Sequence, residues 1–324
     1  MYKKLNIIIP MYNAEKFIDR TVSSIIQSNL PTDYYDILIV NDGSTDKSQE
    51  LVESMMKSIS NLRLINQENG GASAARNSGI RHSDCKYIWF VDSDDRVEKE
   101  LSIIPQLLEE LPDIDVFLFS YNWINENGKW IGLGSTQQMV KHNETISGRD
   151  AILQGYTPGS VCGLIIRKDY LENNSFKFVE GMTHEDVIFT FELFAKAHKV
   201  YFSNEIIYNY NFRTDSVTKA TNIDKLISYN VDEAMVPFYF YKLSNSIKNK
   251  DPELSQIISQ FADNTLFGCV YNLFRNKKKW KPLGVNQAVI QKLKDNQLYP
   301  LRGPFNSWKK RIMSILLNIE PLIS

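Results

Sequence analysis

Short apolar runs alternate with amphipathic segments along the first hundred residues. The apolar runs, at residues 5–9, 36–40, 62–66 and 87–91, have the length of buried strands. Between them, apolar residues recur every three or four positions, the spacing of one buried helix face. Strands that alternate with helices in this way predict an open parallel sheet with right-handed crossovers. We therefore predict an α/β fold with a mostly parallel central sheet and helices on both faces.

The later pattern adds three expectations. Residues 115–121 and 161–166 read as further strands, and residues 130–150 as a polar, irregular loop. A helix is predicted to open near residues 184–186, where Thr183 and Asp186 have the spacing of a capping box. A helix N-terminus would lower the pKa of Asp186. From residue 222 onward the pattern is helical.

The fourth apolar run stops at three carboxylates, Asp92, Asp94 and Asp95. Side chains alternate along a strand, so Asp92 and Asp94 should project the same way. Two such close carboxylates repel each other unless a cation lies between them or one stays protonated. Mg²⁺ or Mn²⁺, bound by these oxygens and by substrate phosphates, would relieve the repulsion. A solvated acidic turn is the alternative for this cluster taken alone.

Polar residues also follow the other strands. Tyr12 and Asn13 come after the first strand, which Pro10 is expected to close, and Asp42 follows the second. Since the carboxyl ends of parallel strands share one edge of a sheet, these side chains should converge on one crevice. The chain has no G-x-G-x-x-G after the first strand and no Walker A sequence, which disfavours a dinucleotide or P-loop site.

Composition and charge indicate the kind of partner and the cellular compartment of the protein. Residues 1–221 carry 22 Lys/Arg against 30 Asp/Glu, and residues 222–324 carry 15 against 8. The basic second part predicts an anionic partner. Three cysteines without a C-x-x-C pair argue against disulfides or zinc and indicate a reducing compartment. With no signal peptide and no membrane-length apolar run, we predict a cytoplasmic protein.

The end of the chain is compatible with a membrane surface. Residues 270–324 hold 11 Lys/Arg against 2 Asp/Glu, and the apolar run 312–319 is too short to span a bilayer. Such a segment can lie peripherally at the inner face of the plasma membrane. The alternative is a terminal helix docked in the core. No nucleic-acid motif occurs, so no nucleic-acid partner is expected.

Five segments in order resemble family 2 glycosyltransferases of the GT-A fold, of the bacterial surface-polysaccharide type. They are residues 8–13 (IIPMYN), 41–44 (NDGS), 70–77 (GGASAARN), 92–95 (DSDD) and 184–186 (HED). In the second segment Asn41 stands where the family has the first Asp of D-D-G-S. A sixth segment, residues 207–216, resembles the family's closing segment.

The resemblance implies roles for these residues. Asp42 would accept a hydrogen bond from the uracil imide, Arg76 would face the nucleotide, and Asp92 would bind ribose and metal. Asp94 would bind metal, and Asp95 would contact metal or donor sugar. The remaining donor residues would be Pro10, Tyr12, Asn13 and Arg213, the last meeting the departing diphosphate. Structural alternatives are a strand end at Pro10, helix capping by Asp42 and an ion pair for Arg76.

The same resemblance also implies which residue acts as the general base. Transfer with inversion needs a group that accepts the proton of the acceptor hydroxyl. Asp186 is the expected general base, with Glu185 in reserve. His184 is expected to orient its neighbours or to face phosphate.

The expected protein is an inverting, non-processive, metal-dependent hexosyl- or N-acetylhexosaminyltransferase. It would move a sugar from a nucleotide-diphosphate donor, a uridine one, to a hydroxyl of a glycan or lipid-linked acceptor in surface polysaccharide synthesis. Residues 1–221 would form the GT-A domain, with a nucleotide-binding half (1–98) and an acceptor-binding half (99–221). Residues 222–324 would form a helical, basic extension. The alternatives are a sugar-nucleotide nucleotidyltransferase and a catalytically inactive assembly subunit.

Overall fold

The computed structural model of the protein describes residues 3–125, 127–134, 141–212, 222–303, 305 and 307–323. Its strands are β1 (Leu5–Met11), β2 (Tyr35–Asp42), β3 (Leu62–Gln67), β4 (Tyr87–Phe90), β5 (Arg96–Val97), β6 (Val116–Asn125), β7 (Trp130–Leu133), β8 (Glu144–Ile146), β9 (Leu164–Arg167) and β10 (Val200–Phe212). The helices among these strands are α1 (Ile18–Ile26), α2 (Ser48–Met55), α3 (Gly71–Arg81), α4 (Ile103–Glu110), α5 (Gly148–Leu153), α6 (Lys168–Asn173) and α7 (Glu185–Lys196).

The described strands form one sheet in the order β3-β2-β1-β4-β9-β6-β10-β5, with β7 on β6 and β8 on β10. Strands β3, β2, β1 and β4 are parallel, as are β6 and β10. Strand β9 joins these two sets by pairing antiparallel with both β4 and β6. The predicted α/β fold with a central sheet is confirmed. The sheet is parallel in its first four strands and mixed beyond them.

The core explains why the first helices lie where they do. Every residue of β1 is buried, and α1 turns Ile18, Val22 and Ile25 inward at helical spacing. Helix α3 approaches β1 through Gly79, where a Cβ would lie 2.4 Å from Cγ2 of Ile8. Only glycine permits this approach. The contact fixes α3, and with it the residues that α3 carries, above the end of the sheet.

Pro10 does not close the first strand. It lies within β1, opposite Val40 of β2. The last residue of β1 that pairs with β4 is Ile8, opposite Phe90. The missing N–H of the proline therefore falls beyond the β4 ladder and costs no hydrogen bond there.

One other expectation about secondary structure needs correction. Residues 130–150 are not an irregular loop throughout, because β7, β8 and the start of α5 lie there. Ser147 caps α5 by accepting the backbone N–H of Asp150. Strand β10 is a single long strand, and its pairing with β6 is interrupted by register shifts between Phe202 and Tyr208.

The chain separates into two compact units. The first consists of Met1–Gly181 and Glu185–Arg213, and the second of Met182–His184 and Thr214–Ser324. The helices predicted for the second part are present as α8 (Ile223–Glu233), α9 (Val236–Ile247), α10 (Pro252–Arg275), α11 (Lys277–Trp280), α12 (Val285–Asp295) and α13 (Trp308–Leu317). Their own core includes the fully buried Val270, Leu293 and Leu317. Within the described part of the chain, no helix is both long enough and apolar enough to cross a bilayer.

Candidate functional site

The loop after β1 presents an aromatic ring at the carboxyl end of the sheet. Tyr12 is 52% exposed. Asn13 adopts a left-handed backbone conformation (φ 49°), which asparagine tolerates better than most residues. Its side-chain oxygen accepts the N–H of Thr45, and its own N–H donates to the hydroxyl of Ser44. Asn13 thereby joins the loops that follow β1 and β2, and it leaves Tyr12 turned toward solvent.

Asp42 connects the end of β2 to the start of α3. Its carboxylate accepts the N–H groups of Gly70 and Gly71 at 2.9 and 2.7 Å, and the amide of Gln67 at 2.7 Å. The side chain is buried, and these bonds satisfy the first N–H groups of α3. This is the helix-capping alternative. Contact between Asp42 and uracil stays a prediction. At the neighbouring position, Asn41 bonds to Asn66 and to the N–H of Ser44.

A buried guanidinium forms the centre of the site. Arg76, on α3, donates to Asp92 Oδ1 at 2.8 Å and to Glu185 Oε1 at 2.5 Å. Only 7% of the Arg76 side chain is exposed. A buried charge is costly unless it is paired, so these two carboxylates are what permits its burial. Cys162 also donates its thiol to Asp92 Oδ2 at 3.4 Å.

The loop that carries the acidic cluster is held from two directions. The hydroxyl of Thr21, on α1, donates to the carbonyls of Ser93 and Asp95. From β10, Tyr208 donates its hydroxyl to Asp95 Oδ2 at 2.5 Å and accepts the N–H of Asp92. The N–H of Asn211 donates to Asp95 Oδ1 at 2.7 Å. Both oxygens of Asp95 therefore have protein partners, and its predicted contact with metal or donor sugar stays a prediction.

The next question is whether Asp92, Asp94 and Asp95 could bind a metal ion. Burial, followed by the charges of Asp94 and Asp92, raises the pKa of Asp95 well above its usual range, so negative charge is crowded here. No group of three His, Cys, Asp or Glu side chains among the described residues is arranged to hold an ion. Mg²⁺ and Mn²⁺ often bind through one or two carboxylates and complete their shell with water and substrate phosphates. Both oxygens of Asp92 already have protein partners, Arg76 and Cys162, so binding of such an ion by Asp92 and Asp94 stays a prediction.

Asp186 lies in the first turn of α7, one residue after Glu185. Its Oδ1 accepts the N–H of Val187 at 2.8 Å. No capping box joins it to Thr183, whose N–H and hydroxyl both donate to Asp232. Burial, together with the charge of Glu185, raises the pKa of Asp186 to about 6. The expectation that the helix N-terminus lowers this pKa is wrong, because loss of water around the carboxylate outweighs the N–H groups.

The structure brings together four of the residues singled out in the sequence. Arg76, Asp92 and Glu185 contact one another directly, and Asp186 adjoins Glu185. His184 belongs to the second unit, where its ring packs 4.5 Å from that of Tyr229, and its predicted role stays a prediction. Arg213 lies outside the described residues.

Three partners of the site were not expected as such: Thr21, Cys162 and Tyr208. Each supports a carboxylate or its loop from a distant part of the chain. Tyr208 belongs to the closing segment, which is the only signal in the sequence that could have indicated it.

Comparison with known proteins gives one family. Residues 6–173 match the family model described as glycosyl transferase family 2. The uncharacterized glycosyltransferase YibD of Escherichia coli (strain K12) is 30% identical over 224 residues, 67% of this chain and 63% of that protein. The poly(ribitol-phosphate) beta-N-acetylglucosaminyltransferase TarS of Staphylococcus aureus (strain MW2) is 27% identical over 212 residues, 64% of this chain and 35% of that protein.

The matched part spans less than two thirds of the length of both relatives. Among solved structures, residues 1–349 of S. aureus TarS in complex with UDP-GlcNAc superimpose with a TM-score of 0.64 at 24% identity. That match covers 90% of this chain and 80% of the TarS chain. The likeness shows the fold. Because the family model spans more than half of the sequence and agrees with the motifs, this chain belongs to glycosyl transferase family 2.

Proposed function

We propose that this protein transfers a sugar from a uridine-diphosphate donor to a hydroxyl of a glycan or lipid-linked acceptor, with inversion and one sugar at a time. The observation that carries the proposal is the half-buried carboxyl of Asp186, whose pKa is raised to about 6, beside the Arg76–Asp92–Glu185 network. A general base works best when its pKa lies near the operating pH.

The geometry favours Asp186 over Glu185 as the base. An oxygen of Glu185 is bound to Arg76 at 2.5 Å, so accepting a proton would weaken that ion pair. Asp186 has one short backbone hydrogen bond and no ion pair with the described residues. Asp186 takes the proton as the acceptor oxygen attacks the anomeric carbon. The new C–O bond forms as the bond to the diphosphate breaks, with the electron pair leaving on the nucleotide. Attack from the opposite face inverts the configuration.

Asp94 and Asp92 would hold Mg²⁺ or Mn²⁺ together with the donor diphosphate. When bound, the ion would neutralise charge on the departing phosphates. In this proposal Arg76 holds Asp92 in position beside the donor. Asp95 positions the loop through Tyr208 and Asn211, and its direct contact with metal or donor sugar remains part of the proposal. Pro10, Tyr12, Asn13 and Asp42 would form the nucleotide pocket at the ends of β1 and β2, and Arg213 would meet the leaving diphosphate.

The relatives support a choice of donor and pathway. One is named a poly(ribitol-phosphate) beta-N-acetylglucosaminyltransferase and another a poly(ribitol-phosphate) beta-glucosyltransferase. A solved structure with the same fold holds UDP-GlcNAc, and a more distant one holds GDP-Man and Mn²⁺. These names support a hexosyl- or N-acetylhexosaminyltransferase that acts in bacterial surface polysaccharide synthesis and uses a divalent cation.

The exposed face of α13 supports a cytoplasmic protein that associates peripherally with the membrane. Trp308, Ile312 and Ile315 are 67%, 55% and 67% exposed, and Ile319 just after the helix is also exposed. Their spacing places them on one side of a helix, while Leu317 is buried in the core of the second unit. Lys309 and Arg311 flank this apolar row and suit anionic head groups.

Isothermal titration of the protein with UDP, with and without Mn²⁺, tests donor binding. A panel of UDP-, GDP- and dTDP-sugars then tests turnover by release of the nucleoside diphosphate. We expect metal-dependent UDP binding and release from a UDP-sugar. Formation of a sugar nucleotide from a nucleoside triphosphate and a sugar 1-phosphate would instead support a nucleotidyltransferase. Absence of UDP binding would support an inactive assembly subunit.

Asp186→Asn separates binding from chemistry. The variant should bind UDP as the wild type does, because the amide keeps the size of the side chain. Transfer should fall by about 10²- to 10⁴-fold, the usual contribution of a general base. Retained turnover would remove Asp186 as the base, and the same assay on Glu185→Gln would then test the reserve candidate.

A further inference from the structure

One face of strands β6 and β10 carries a row of aromatic rings that have no role in the carboxylate site described above. In the parallel register Tyr121 lies opposite Tyr208, and Trp123 lies opposite Tyr210. Residues two apart on a strand share a face, so Phe212 continues the row. The ring centroid of Trp123 is 4.5 Å from that of Tyr210, 6.2 Å from Tyr121 and 6.2 Å from Phe212.

The row adjoins the carboxylates through Tyr208, which lies opposite Tyr121 on the neighbouring strand. The hydroxyl of Tyr208 bonds to Asp95 and to the N–H of Asp92. Burial raises the pKa of Tyr210, and the charges of Asp95, Asp92 and Asp94 add to the effect. Burial, followed by the charges of Cys162 and Asp186, raises the pKa of Tyr121. The rings are therefore continuous with the acidic site and with the proposed base.

The row is open enough to accept a ligand. Tyr121, Trp123 and Tyr210 are half-buried, and Phe212 is 40% exposed. Neither Tyr121 nor Tyr210 bonds through its hydroxyl to another of the described residues. The β7 residue opposite Trp123 is Gly132, which has no side chain to cover the ring.

At a second glycine the backbone packs directly against two of the rings. At Gly134 a Cβ would lie 2.0 Å from the ring of Tyr121 and 2.5 Å from Nε1 of Trp123. Real Cβ atoms do not approach so closely, so only glycine fits without displacing a ring. The backbone of Gly134 therefore lies against the edges of these two rings, in a position that has no room for a side chain.

A ring sugar matches this surface. A pyranose presents a rigid face of C–H groups, which packs on aromatic rings, and a rim of hydroxyls, which can bond to phenolic hydroxyls. An open-chain polyol has the hydroxyls but no fixed apolar face. We propose that this row of rings (Tyr121, Trp123, Tyr210 and Phe212) binds a pyranose unit of the acceptor and selects it against an open-chain polyol. This inference rests on the proposed transfer reaction, whose acceptor it specifies.

Saturation-transfer difference NMR on the whole protein, with UDP and Mn²⁺ present, tests the inference. The probes are methyl β-D-glucopyranoside, methyl N-acetyl-β-D-glucosaminide and, as the open-chain polyol, ribitol. We expect strong transfer to the ring C–H protons of at least one glycoside and weak transfer to ribitol. Equal transfer to ribitol, or none to either glycoside, would overturn the inference.

Variants identify the surface that gives the signal. Tyr210→Leu and the more exposed Phe212→Ala should each weaken glycoside binding by about three- to tenfold, the effect of losing one ring contact. Tyr210→Phe keeps the ring and should bind more tightly than Tyr210→Leu. Tyr201→Leu, on the same strand but outside the row, is the matched control and should bind like the wild type. If neither Tyr210→Leu nor Phe212→Ala weakens binding, the row is not the acceptor surface. Failure of the wild type to bind UDP would count against the proposed function instead, whatever the glycosides do.

Discussion

At the level of single residues, the raised pKa of Asp186 is expected to affect activity and stability in opposite ways. Its pKa is raised from 3.8 to about 6, chiefly by burial. The carboxylate that the proposed reaction would require is therefore the form that the fold disfavours. Catalytic groups commonly show this conflict, because the surroundings that tune a pKa also penalise charge.

The pH dependence of transfer follows from the sign of this shift. Below about pH 6 the carboxyl of Asp186 is protonated and cannot accept the hydroxyl proton. We expect kcat/KM to rise with pH through about 6 and then to level off. Initial rates between pH 4.5 and 8.5 measure the profile. A rate that does not change across pH 5–7 would contradict this assignment.

The same shift predicts that Asp186→Asn is more stable than the wild type at neutral pH. A carboxyl with a raised pKa contributes stability below about 3.8, and that contribution is lost as pH rises through about 6. The amide avoids the loss, which has an upper limit of about 3 kcal/mol. Thermal unfolding of both proteins at pH 8 and at pH 4 measures the difference. The gain should be largest at pH 8; an equal gain at pH 4 would need another cause.

Tyr208 is expected to be a positioning residue. Tyr208→Phe leaves Asp95 Oδ2 and the N–H of Asp92 without their shared partner, which should cost about 1–3 kcal/mol. Metal-dependent UDP affinity should fall as well, because the loop that presents Asp94 is loosened. Denaturant unfolding and titration with UDP and Mn²⁺ measure the two effects. Tyr87→Phe is the control, since that buried hydroxyl has only long bonds to the carbonyls of Leu108 and Pro112. Equal effects in both variants would refute the positioning role.

At the scale of elements, the junction between β2 and α3 depends on one carboxylate. Asp42 accepts the N–H groups of Gly70 and Gly71, so Asp42→Ala leaves buried donors unpaired. We expect a loss of about 1–3 kcal/mol in the free energy of unfolding, together with weaker UDP binding. Asp46→Ala is a useful comparison, because the carboxylate of Asp46 accepts the N–H of Ser48 at the start of α2. Unchanged UDP affinity in a folded Asp42→Ala protein would contradict the predicted nucleotide contact.

Some strands could be predicted from the sequence and others could not. Strands β1 to β4 were predictable because each is a continuous apolar run closed by polar residues, and parallel pairing then brought their ends together. Strand β9 gives no such signal for its direction, since only the completed sheet makes it run antiparallel between β4 and β6. Short amphipathic strands such as β7 and β8 are paired at an edge and carry too few buried residues to be recognised.

The site was predictable to the same degree and for similar reasons. Asp92, Glu185 and Arg76 stand in recognisable motifs, and the structure joins them. The pKa of Asp186 was not predictable, because it depends on burial by residues far away in sequence. Cys162 and Thr21 support the acidic loop from positions with no motif, so only the fold could identify them.

At the scale of the whole molecule, charge is unevenly distributed between the two parts of the chain. Residues 1–221 carry 30 Asp/Glu against 22 Lys/Arg, whereas residues 222–324 carry 8 against 15. A basic, partly apolar second part and an acidic first part agree with the proposed protein, which would bind a small donor while it lies near an anionic surface.

Membrane association can be tested without disturbing the core of the second unit. Removing the last residues would also remove the buried Leu317, so substitutions on the exposed face of α13 are cleaner. Ile312→Ser with Ile315→Ser should weaken cosedimentation with vesicles that contain anionic lipid, and added salt should weaken it further. Ile223→Ser, at an equally exposed position on α8, is the matched control. Partitioning that does not change in the double variant would favour a docked terminal helix without a membrane role.

The shared guanidinium of Arg76 has a consequence beyond charge balance. One side chain serves Asp92, at the end of β4, and Glu185, at the start of α7. In the proposed reaction, movement of Asp92 toward an incoming donor would change the ion pair between Arg76 and Glu185, and with it the surroundings of Asp186. Donor binding would then be coupled to the proposed base through one side chain.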